Sequence, residues 1–408
     1  MGKKCIDFVK KEAVLSIAIV LALVSCAVVR PDREYLGYID FRTLGILFSL
    51  MAVMAGLQKI GVFSRIAHGL LQRVKSVRML VLILIMLCFF FSMVITNDVA
   101  LITFVPLTFI VLRMTGEELT GKLAVPVVVM QTIAANLGSM LTPIGNPQNL
   151  YLYGISGMGL GEFVLLMLPY TVIALVLLVL WCLRQENGKI EGLEVMPEGE
   201  SGAIKCREGL AEGKGSSTEN AGAQARAVEA TLAGHSKELA VYLILFALCI
   251  LTVARVLPYG VTLAIVIVVV FLLDRTVLAK VDYGLLMTFV GFFVFIGNMG
   301  RISAFRAFLE GMIVGNEVLT AVLSSQVISN VPAALLLSGF TQDYEALIVG
   351  TNLGGLGTLI ASMASLISFK YLGKEDKGAK RKYLIYFTLA NLIFLAILLG
   401  FYYIMVKG

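Results

Sequence analysis

Two short polar motifs each occur twice inside apolar sequence, and their side chains are the ones that could bind ions. Residues 96–100 (TNDVA) are echoed by residues 329–333 (SNVPA), and residues 136–142 (NLGSMLT) are echoed by residues 352–358 (NLGGLGT). Hard cations prefer oxygen ligands such as amides, hydroxyls and backbone carbonyls. Paired interruptions in the two halves of a membrane protein are typical of a transport site.

The first pair of motifs predicts helices that begin within the depth of a membrane. Asn is favoured at the N-cap of a helix, and Pro332 suits a first helical turn because its missing N–H would be unpaired there anyway. We therefore expect Asn97 and Asn330 to cap two helix starts. A chain that stops and restarts at these points would form two hairpin tips.

The second pair predicts two broken transmembrane helices. Two prolines between residues 142 and 148 cannot lie in one regular helix. We expect the first of these helices to unwind from Gly138 and to restart with Asn146 as its cap. In the second copy, glycines at and after Gly354 loosen the helix, and Thr358 is expected to cap its continuation.

Such breaks leave backbone N–H and C=O groups unpaired at positions where ions can bind them. Helix N-termini attract anions, whereas unwound carbonyls attract cations. The predicted cation-binding residues are Thr96, Asn97, Asp98, Asn136, Gly138, Ser329, Asn330, Asn352 and Gly354. The predicted substrate-binding residues are Asn97, Asn146, Gln148, Asn330 and Thr358. No cofactor is expected beyond Na⁺ or H⁺ as a coupling ion.

Asp98 has two interpretations. An ionisable group in apolar sequence marks a functional site by default, so Asp98 could bind a cation or carry a proton. It could instead only stabilise a helix start. Val331 stands at the equivalent place in the second copy. The glycines, Gly138 and Gly354, could likewise serve only close helix packing.

The composition predicts a polytopic membrane protein. Of 408 residues, 59% are hydrophobic and 15% are charged, against about 25% in soluble proteins, and the mean hydropathy is +0.91. Neither the six cysteines nor the isolated His68 and His235 form a metal-binding pattern. The net charge of +6 is attributed to cytoplasmic loops, and no nucleic-acid partner is expected.

The apolar runs divide the chain into two halves around a polar segment. The expected regions are a first transmembrane helix (1–40), a first inverted repeat (41–184), a flexible cytoplasmic linker (185–237), helices leading into the second half (238–282), and a second repeat core with the final helix (283–408). The hairpin tips are expected near 96–98 and 329–331, and the broken helices over 122–157 and 344–369.

Basic residues predict the orientation in a cell membrane. Lysines in the first eleven residues, the basic loop 59–78 and the basic segment 370–382 are all expected in the cytoplasm. Re-entrant hairpins satisfy all three placements and put the C-terminus outside. Residues 55–66 resemble residues 296–307 on spans of opposite direction. The predicted fold is therefore an all-α, multi-pass, inverted-repeat transporter with two re-entrant hairpins and two broken transmembrane helices.

These motifs resemble the citrate-transporter-like group of the ion transporter superfamily, which includes divalent anion–sodium symporters, arsenite permeases and sodium–proton antiporters. The resemblance is carried by residues 96–107, 135–149, 329–337 and 351–358. It implies a homodimer with a scaffold, a mobile transport domain and elevator-type alternating access. Carboxylate symporters carry Ser-Asn-Thr at both tips. Here the third position is Asp98 or Val331, which places dicarboxylate recognition in question.

The predicted function is secondary active transport of a small anion, either a carboxylate or an inorganic oxyanion, coupled to Na⁺ or H⁺. The alternatives within transport are an arsenite or antimonite efflux permease and a Na⁺/H⁺ antiporter. A channel and a membrane-embedded enzyme are the alternatives from other classes. Enzyme activity is not expected, because the sequence has no cluster of His, Asp or Cys.

Overall fold

The computed structural model describes residues 12–71, 74–188, 218–375 and 378–407. Every regular element within these ranges is a helix. The helices are α1 Ala13–Val28, α2 Tyr35–Tyr38, α3 Phe41–Ile60, α4 Val62–Leu71, α5 Val77–Ile95, α6 Asn97–Met114, α7 Glu117–Ser139, α8 Pro147–Ser156, α9 Leu160–Leu183, α10 Thr218–Val253, α11 Tyr259–Leu278, α12 Tyr283–Gly300, α13 Ser303–Ile313, α14 Glu317–Ile328, α15 Asn330–Ser338, α16 Tyr344–Leu353, α17 Met363–Glu375 and α18 Lys380–Lys407.

The chain is a multi-pass membrane protein, as its composition predicts. In the described ranges, nine helices are long and apolar enough to cross a membrane: α3, α5, α6, α7, α9, α10 over its last 18 residues, α11, α12 and α18. α1 is shorter, at 16 residues. Helices α13 and α14 meet at a bend of 110°, so α13 turns the chain into the second hairpin.

Both split apolar regions fold back on themselves. Thr96 alone separates α5 from α6, and the rings of Phe91 and Phe104 lie 5.2 Å apart. One straight helix would separate those residues by about 20 Å. Ser329 alone separates α14 from α15, and the base of this hairpin is closed by the Thr341 hydroxyl, which donates to the Glu317 carboxylate at 3.3 Å.

The two hairpins differ in length. The arms of the first hairpin have 19 and 18 residues, each about enough for one crossing. The arms of the second have 12 and 9 residues, too few to cross twice. The re-entrant placement and the inverted orientation of the two halves stay predictions.

The broken helices lie where the sequence predicts them, with two corrections. α7 stays helical through Gly138 and ends at Ser139, and α8 begins at Pro147. α16 ends at Leu353, but its continuation begins only at Met363. The prediction that Thr358 caps this continuation is therefore wrong. A run of glycines lengthens the second break, and the Thr358 N–H donates to Gln326 instead.

The tip caps also differ from the prediction by one residue. α6 and α15 begin at Asn97 and Asn330 themselves, and Thr96 and Ser329 hold the N-cap positions. The physical reason is the backbone of Thr96 and Ser329, which turns the chain so sharply that the next residue is already helical.

The helices form two packing groups. α1, α3, α10, α11 and α12 pack mainly on one another, and α5 to α9 pack with α14 to α18. The Tyr151 ring of the second group packs on Phe289 and Phe293 of α12, at 6.3 Å and 5.6 Å between ring centroids. These ring contacts are apolar and non-directional, whereas hydrogen bonds between the two groups lie elsewhere, as between Gln58 of α3 and Thr103 of α6 at 3.3 Å.

Some sequence predictions concern residues outside the described ranges. The lysines of the N-terminus fall in residues 1–11. Most of the predicted linker, residues 189–217, is also outside them, and α10 begins within the remainder at Thr218.

Candidate functional site

The two hairpin tips have the same backbone conformation. Thr96 has φ 74° and ψ 149°, and Ser329 has φ 75° and ψ 154°. Positive φ is uncommon for residues other than glycine and is retained only where the surrounding structure enforces it. Both hairpin tips therefore contain the same uncommon backbone turn between two helices.

Each tip binds the break of one broken helix through its backbone. The Asn97 N–H donates to the Gly145 carbonyl at 3.1 Å, and the Asn330 N–H donates to the Ala361 carbonyl at 2.9 Å. Gly145 and Ala361 occupy the same place in the two breaks, counted from Asn136 and Asn352. One orphan N–H at each helix start is therefore satisfied in the same way.

Two further contacts recur at matching positions. The Thr142 hydroxyl donates to the Met93 carbonyl, and the Thr358 hydroxyl donates to the Gln326 carbonyl at 3.2 Å. Met93 and Gln326 each lie three residues before a tip. We call the hairpin α5–α6 with the broken helix α7–α8 and its break (140–146) the first unit, and the hairpin α14–α15 with the broken helix α16–α17 and its break (354–362) the second unit.

The glycines of the repeated motif, Gly138 and Gly354, stand where a hairpin arm meets a broken helix. A Cβ on Gly138 would lie 2.0 Å from the Phe89 carbonyl oxygen and 2.6 Å from the Ser92 hydroxyl. A Cβ on Gly354 would lie 2.5 Å from the Ser325 hydroxyl. Close packing alone thus requires glycine at both positions, whatever else these residues do.

Side-chain amides join the two units to each other. Asn136 of the first unit's broken helix accepts a hydrogen bond from the Ser362 hydroxyl at 3.0 Å and donates to the Gly355 carbonyl at 3.4 Å. Asn352 of the second unit's broken helix accepts from Asn146 at 3.3 Å and donates to Asn149 at 2.6 Å. Each broken helix therefore reaches into the break of the other.

The first tip joins the same network. Asn97 Nδ2 donates to Asn136 Oδ1 at 3.0 Å. We call Asn97, Asn136, Asn146, Asn149 and Asn352 the amide cluster; all five are buried. Four of these residues were predicted site residues, and the structure brings them together as two hydrogen-bonded pairs, Asn97 with Asn136 and Asn146 with Asn352. Ser329 and Asn330 approach from the other side, with both Ser329 Oγ and the Asn330 N–H directed at Ala361.

The start of α8 follows the sequence prediction closely. Asn146 is the N-cap, its side chain accepts from the Asn149 N–H at 3.1 Å, and Pro147 is the first helical residue. Gln148 is buried in the first turn. Its Nε2 has no hydrogen-bond partner within the part of the chain that the structure describes.

Asp98 lies in the first turn of α6. Its N–H donates to the Asn97 side chain at 2.9 Å. Its carboxylate Oδ1 is shielded from solvent and has no partner among the described residues. A shielded carboxylate oxygen is costly unless something pairs with it, so a cation, a proton or a solute hydroxyl would complete this position.

The described residues offer positive potential to the site only through helix N-termini. Among the described residues, no Lys or Arg side chain hydrogen-bonds to the amide cluster. The starts of α6 and α8 from one unit, and of α15 and α17 from the other, all lie at the tips and breaks that the cluster joins. Helix N-termini can hold a small anion without a basic side chain.

Three residues that hydrogen-bond within the site were not predicted from the sequence: Asn149, Gln326 and Ser362. Asn149 belongs to a motif already recognised, but its role depends on a fold-back that spacing does not show. A longer repeat could have pointed to Gln326, because residues 92–97 (SMVITN) and 325–330 (SQVISN) match beyond the tips.

Comparison with known proteins identifies the family. A family model described as "Citrate transporter" matches residues 7–343, which include both hairpin tips and the first break. The chain belongs to the citrate transporter family. The second break lies beyond the matched range, and the recurring contacts above are what relate it to the first.

Relatives of the transporter extend over most of its length. An uncharacterized transporter of Methanocaldococcus jannaschii is 31% identical over 358 residues, covering 87% of each chain. Inner membrane protein YbiR of Escherichia coli is 29% identical, covering 83% of this chain and 82% of that protein. Silicon efflux transporter LSI3 of Oryza sativa is 27% identical, covering 86% and 83%.

The two packing groups of the transporter are also joined by a polar contact away from the cluster. Arg255, just after α10, donates to the carbonyls of Tyr153 and Gly157 at 2.9 Å and 3.0 Å, at the C-terminal end of α8. Its guanidinium lies 5.0 Å from the centre of the Tyr153 ring. Arg255 therefore caps a helix of one group from the other.

Proposed function

We propose that this transporter is a secondary active carrier of a small anion, a carboxylate or an inorganic oxyanion, coupled to Na⁺ or H⁺. The observation that carries the proposal is the pair of matched units, each with a tip bonded to a break, joined by the amide cluster. Non-helical backbone at membrane depth is tolerated only where protein buries it or where it lines a cavity. Two such sites built alike suit alternating access from two sides.

In this proposal the helix N-termini bind the anion, and carbonyl, amide and hydroxyl oxygens bind the cation. Asn97, Asn146, Gln148, Asn330 and Thr358 are assigned to the solute. Thr96, Asn97, Asp98, Asn136 and Gly138 are assigned to one cation site. Ser329, Asn330, Asn352 and Gly354 are assigned to its counterpart. A cation beside the anion would offset the absence of a basic side chain.

The two packing groups support an elevator mechanism. Helices α5 to α9 and α14 to α18 carry both units and would move together against α1, α3, α10, α11 and α12. We further propose a homodimer in the cell membrane, with both hairpins re-entrant, the N-terminus in the cytoplasm and the C-terminus outside.

The test is flux through the purified protein in liposomes. Radiolabelled citrate, succinate, sulfate and phosphate would each be offered with an inward Na⁺ gradient, an inward proton gradient or neither. We expect saturable uptake of one small anion that a gradient accelerates. Flux that rises linearly with concentration would indicate a channel, and no flux of any probe would contradict the proposal.

One observation favours a second candidate, the efflux of an uncharged oxyacid. The cluster offers amides and hydroxyls with Asp98 as the adjacent charge, and one relative is named a silicon efflux transporter. A neutral polyhydroxylated solute needs no positive charge. Inside-out vesicles that contain this protein and are offered silicic or arsenous acid would decide between the two, because only the efflux candidate predicts that these uncharged acids accumulate when a proton gradient is applied.

A further inference from the structure

In the first unit, a single side-chain amide gathers the carbonyls of the break. Asn149 Nδ2 lies 3.5, 3.4 and 3.3 Å from the carbonyl oxygens of Ser139, Met140 and Thr142. Asn149 belongs to α8, so the broken helix shapes its own break. Buried carbonyls without donors are costly in a membrane, and this amide supplies the donor.

In the second unit, an amide from a different helix donates to the carbonyls of the break. Gln326 Nε2 donates to the carbonyls of Gly354 and Leu356 at 3.0 and 2.9 Å, and Gln326 Oε1 accepts from the Thr358 N–H at 2.8 Å. Gln326 belongs to α14, an arm of the hairpin. The hairpin, and not the broken helix, shapes this break.

The matched contacts show which residue of each unit stands at the position where the other unit has its amide. Met93 stands where Gln326 stands, because each offers its backbone carbonyl to the threonine of its break. Ser365 stands where Asn149 stands, counted from Ser362 and Asn146. The Ser365 hydroxyl is buried and has no partner among the residues that the structure describes, so a serine there does not replace the amide.

A third position changes with these two. A Cβ on Gly357 would lie 2.2 Å from Gln326 Oε1, and Gly357 has φ 117°. Leu141 holds the equivalent place in the first break. The glycine admits the glutamine amide, whereas the leucine would obstruct it. The first unit thus has Met93, Leu141 and Asn149 where the second has Gln326, Gly357 and Ser365.

We propose that Asn149 and Gln326 are positioning residues of the transport site, and that either of two places in a unit can supply the amide. Each amide holds its carbonyl loop in the shape that binding requires, while neither must touch the solute. The transport readout of this inference rests on the proposed function; its stability readout does not.

The test moves the amide of the first unit to the place used by the second. Asn149→Ser removes it, and the triple variant Met93→Gln, Leu141→Gly, Asn149→Ser supplies it from the hairpin arm. Asn391→Ser is the matched control, because Asn391 is buried in α18 and, among the described residues, donates only to Phe387 of its own helix. Uptake into liposomes and thermal unfolding of the purified protein would be measured for each.

We expect Asn149→Ser to lower the kcat/KM of uptake about tenfold or more, since the carbonyls of the break lose a donor and Asn352 loses its acceptor, and to lower the melting temperature. The triple variant should recover the part of both quantities that depends on the carbonyl donor, and Asn391→Ser should leave uptake unchanged. A reciprocal pair, Gln326→Met with and without Ser365→Asn, should show the same loss and recovery.

Two results would overturn the inference: full uptake and stability in Asn149→Ser, or a triple variant as impaired as the single one. If Asn149→Ser fails to fold, recovery of a folded triple variant supports the inference and its failure overturns it. If the unaltered transporter moves none of the probes, the proposed function fails, and the melting temperatures still decide the role of the amides.

Discussion

The first unit is polar at two positions where the second is apolar. Asp98 lies in the first turn of α6, whereas Val331 takes that place in α15 and is buried. Gln148 lies in the first turn of α8, whereas Ala364 takes that place in α17. The tip backbones, by contrast, are nearly identical. The common geometry thus defines where backbone dipoles point, and these two differences give the first unit an unpaired carboxylate oxygen on Asp98 and an unpaired amide nitrogen on Gln148.

The units also differ in how the hairpin is tied to its break. Both have the tip N–H and the threonine hydroxyl bond. The second adds three bonds from Gln326 and a contact from Ser329 Oγ to Ala361. We therefore expect the second hairpin and its break to move as one body, and the first hairpin to separate from its break more readily.

The largest effect is expected where the units are alike. Asn97→Ala and Asn330→Ala should each reduce uptake roughly a hundredfold, because each removes a buried amide at a tip. Asn391→Ala is the control, as a buried amide outside the cluster, and should transport normally. If either tip variant retained full activity while the other lost it, the site would belong to one unit alone.

The two glycines should differ in severity. The Cβ of Gly138→Ala would meet a backbone carbonyl at 2.0 Å, whereas that of Gly354→Ala would meet the Ser325 hydroxyl first, at 2.5 Å. Overpacking costs about 1–3 kcal/mol, and we expect Gly138→Ala to fall at the upper end and Gly354→Ala below it. Thermal unfolding of the two purified variants measures the difference. Equal melting temperatures would contradict this ranking.

Asp98 offers a test of the polar difference. Asp98→Asn keeps the size of the side chain and removes the charge, so we expect uptake to lose its several-fold stimulation by the coupling ion. Val331→Asn, the matched change in the second unit, should leave the stimulation in place. Initial rates measured across sodium concentrations and across pH distinguish the two. An unaltered ion dependence in Asp98→Asn would make that residue a structural one.

The smallest effect is expected at Arg255, away from both units. Arg255→Ala removes two hydrogen bonds and a ring contact at an exposed position, which are worth about 1 kcal/mol. A change in uptake rate of roughly twofold to fivefold follows. Arg255→Lys should restore little of the rate, since lysine lacks the planar fork that reaches both carbonyls. Complete loss of uptake would show that this contact does more than join the packing groups.

Much of the fold follows from the sequence because apolar runs and their interruptions are local signals. Two breaks, one from Gly138 to Asn146 and one from Gly354 to Thr358, were predicted from glycine, asparagine and proline, which act through the backbone of their own segment. The end of the second break was not, because loop length after Leu353 depends on Gln326, a residue distant in sequence.

The sequence predicted which residues belong to the site, but not which of them hydrogen-bond to one another. Asn97, Asn136, Asn146 and Asn352 were identified by repetition and polarity. Their pairing across the units was not, because it depends on how two broken helices pack. Asn149 and Gln326 were missed for the same reason: an amide that gathers carbonyls is recognised only when the carbonyls have been brought to it.

The most direct test of one site built from two units is protection of both tips by one solute. In a background with the six native cysteines replaced by alanine, Thr96→Cys and Ser329→Cys would each be exposed to a membrane-permeant thiol reagent, with and without the transported solute. We predict that the same solute slows labelling at both positions over the same concentration range. Protection of one cysteine alone, or of neither, would contradict it.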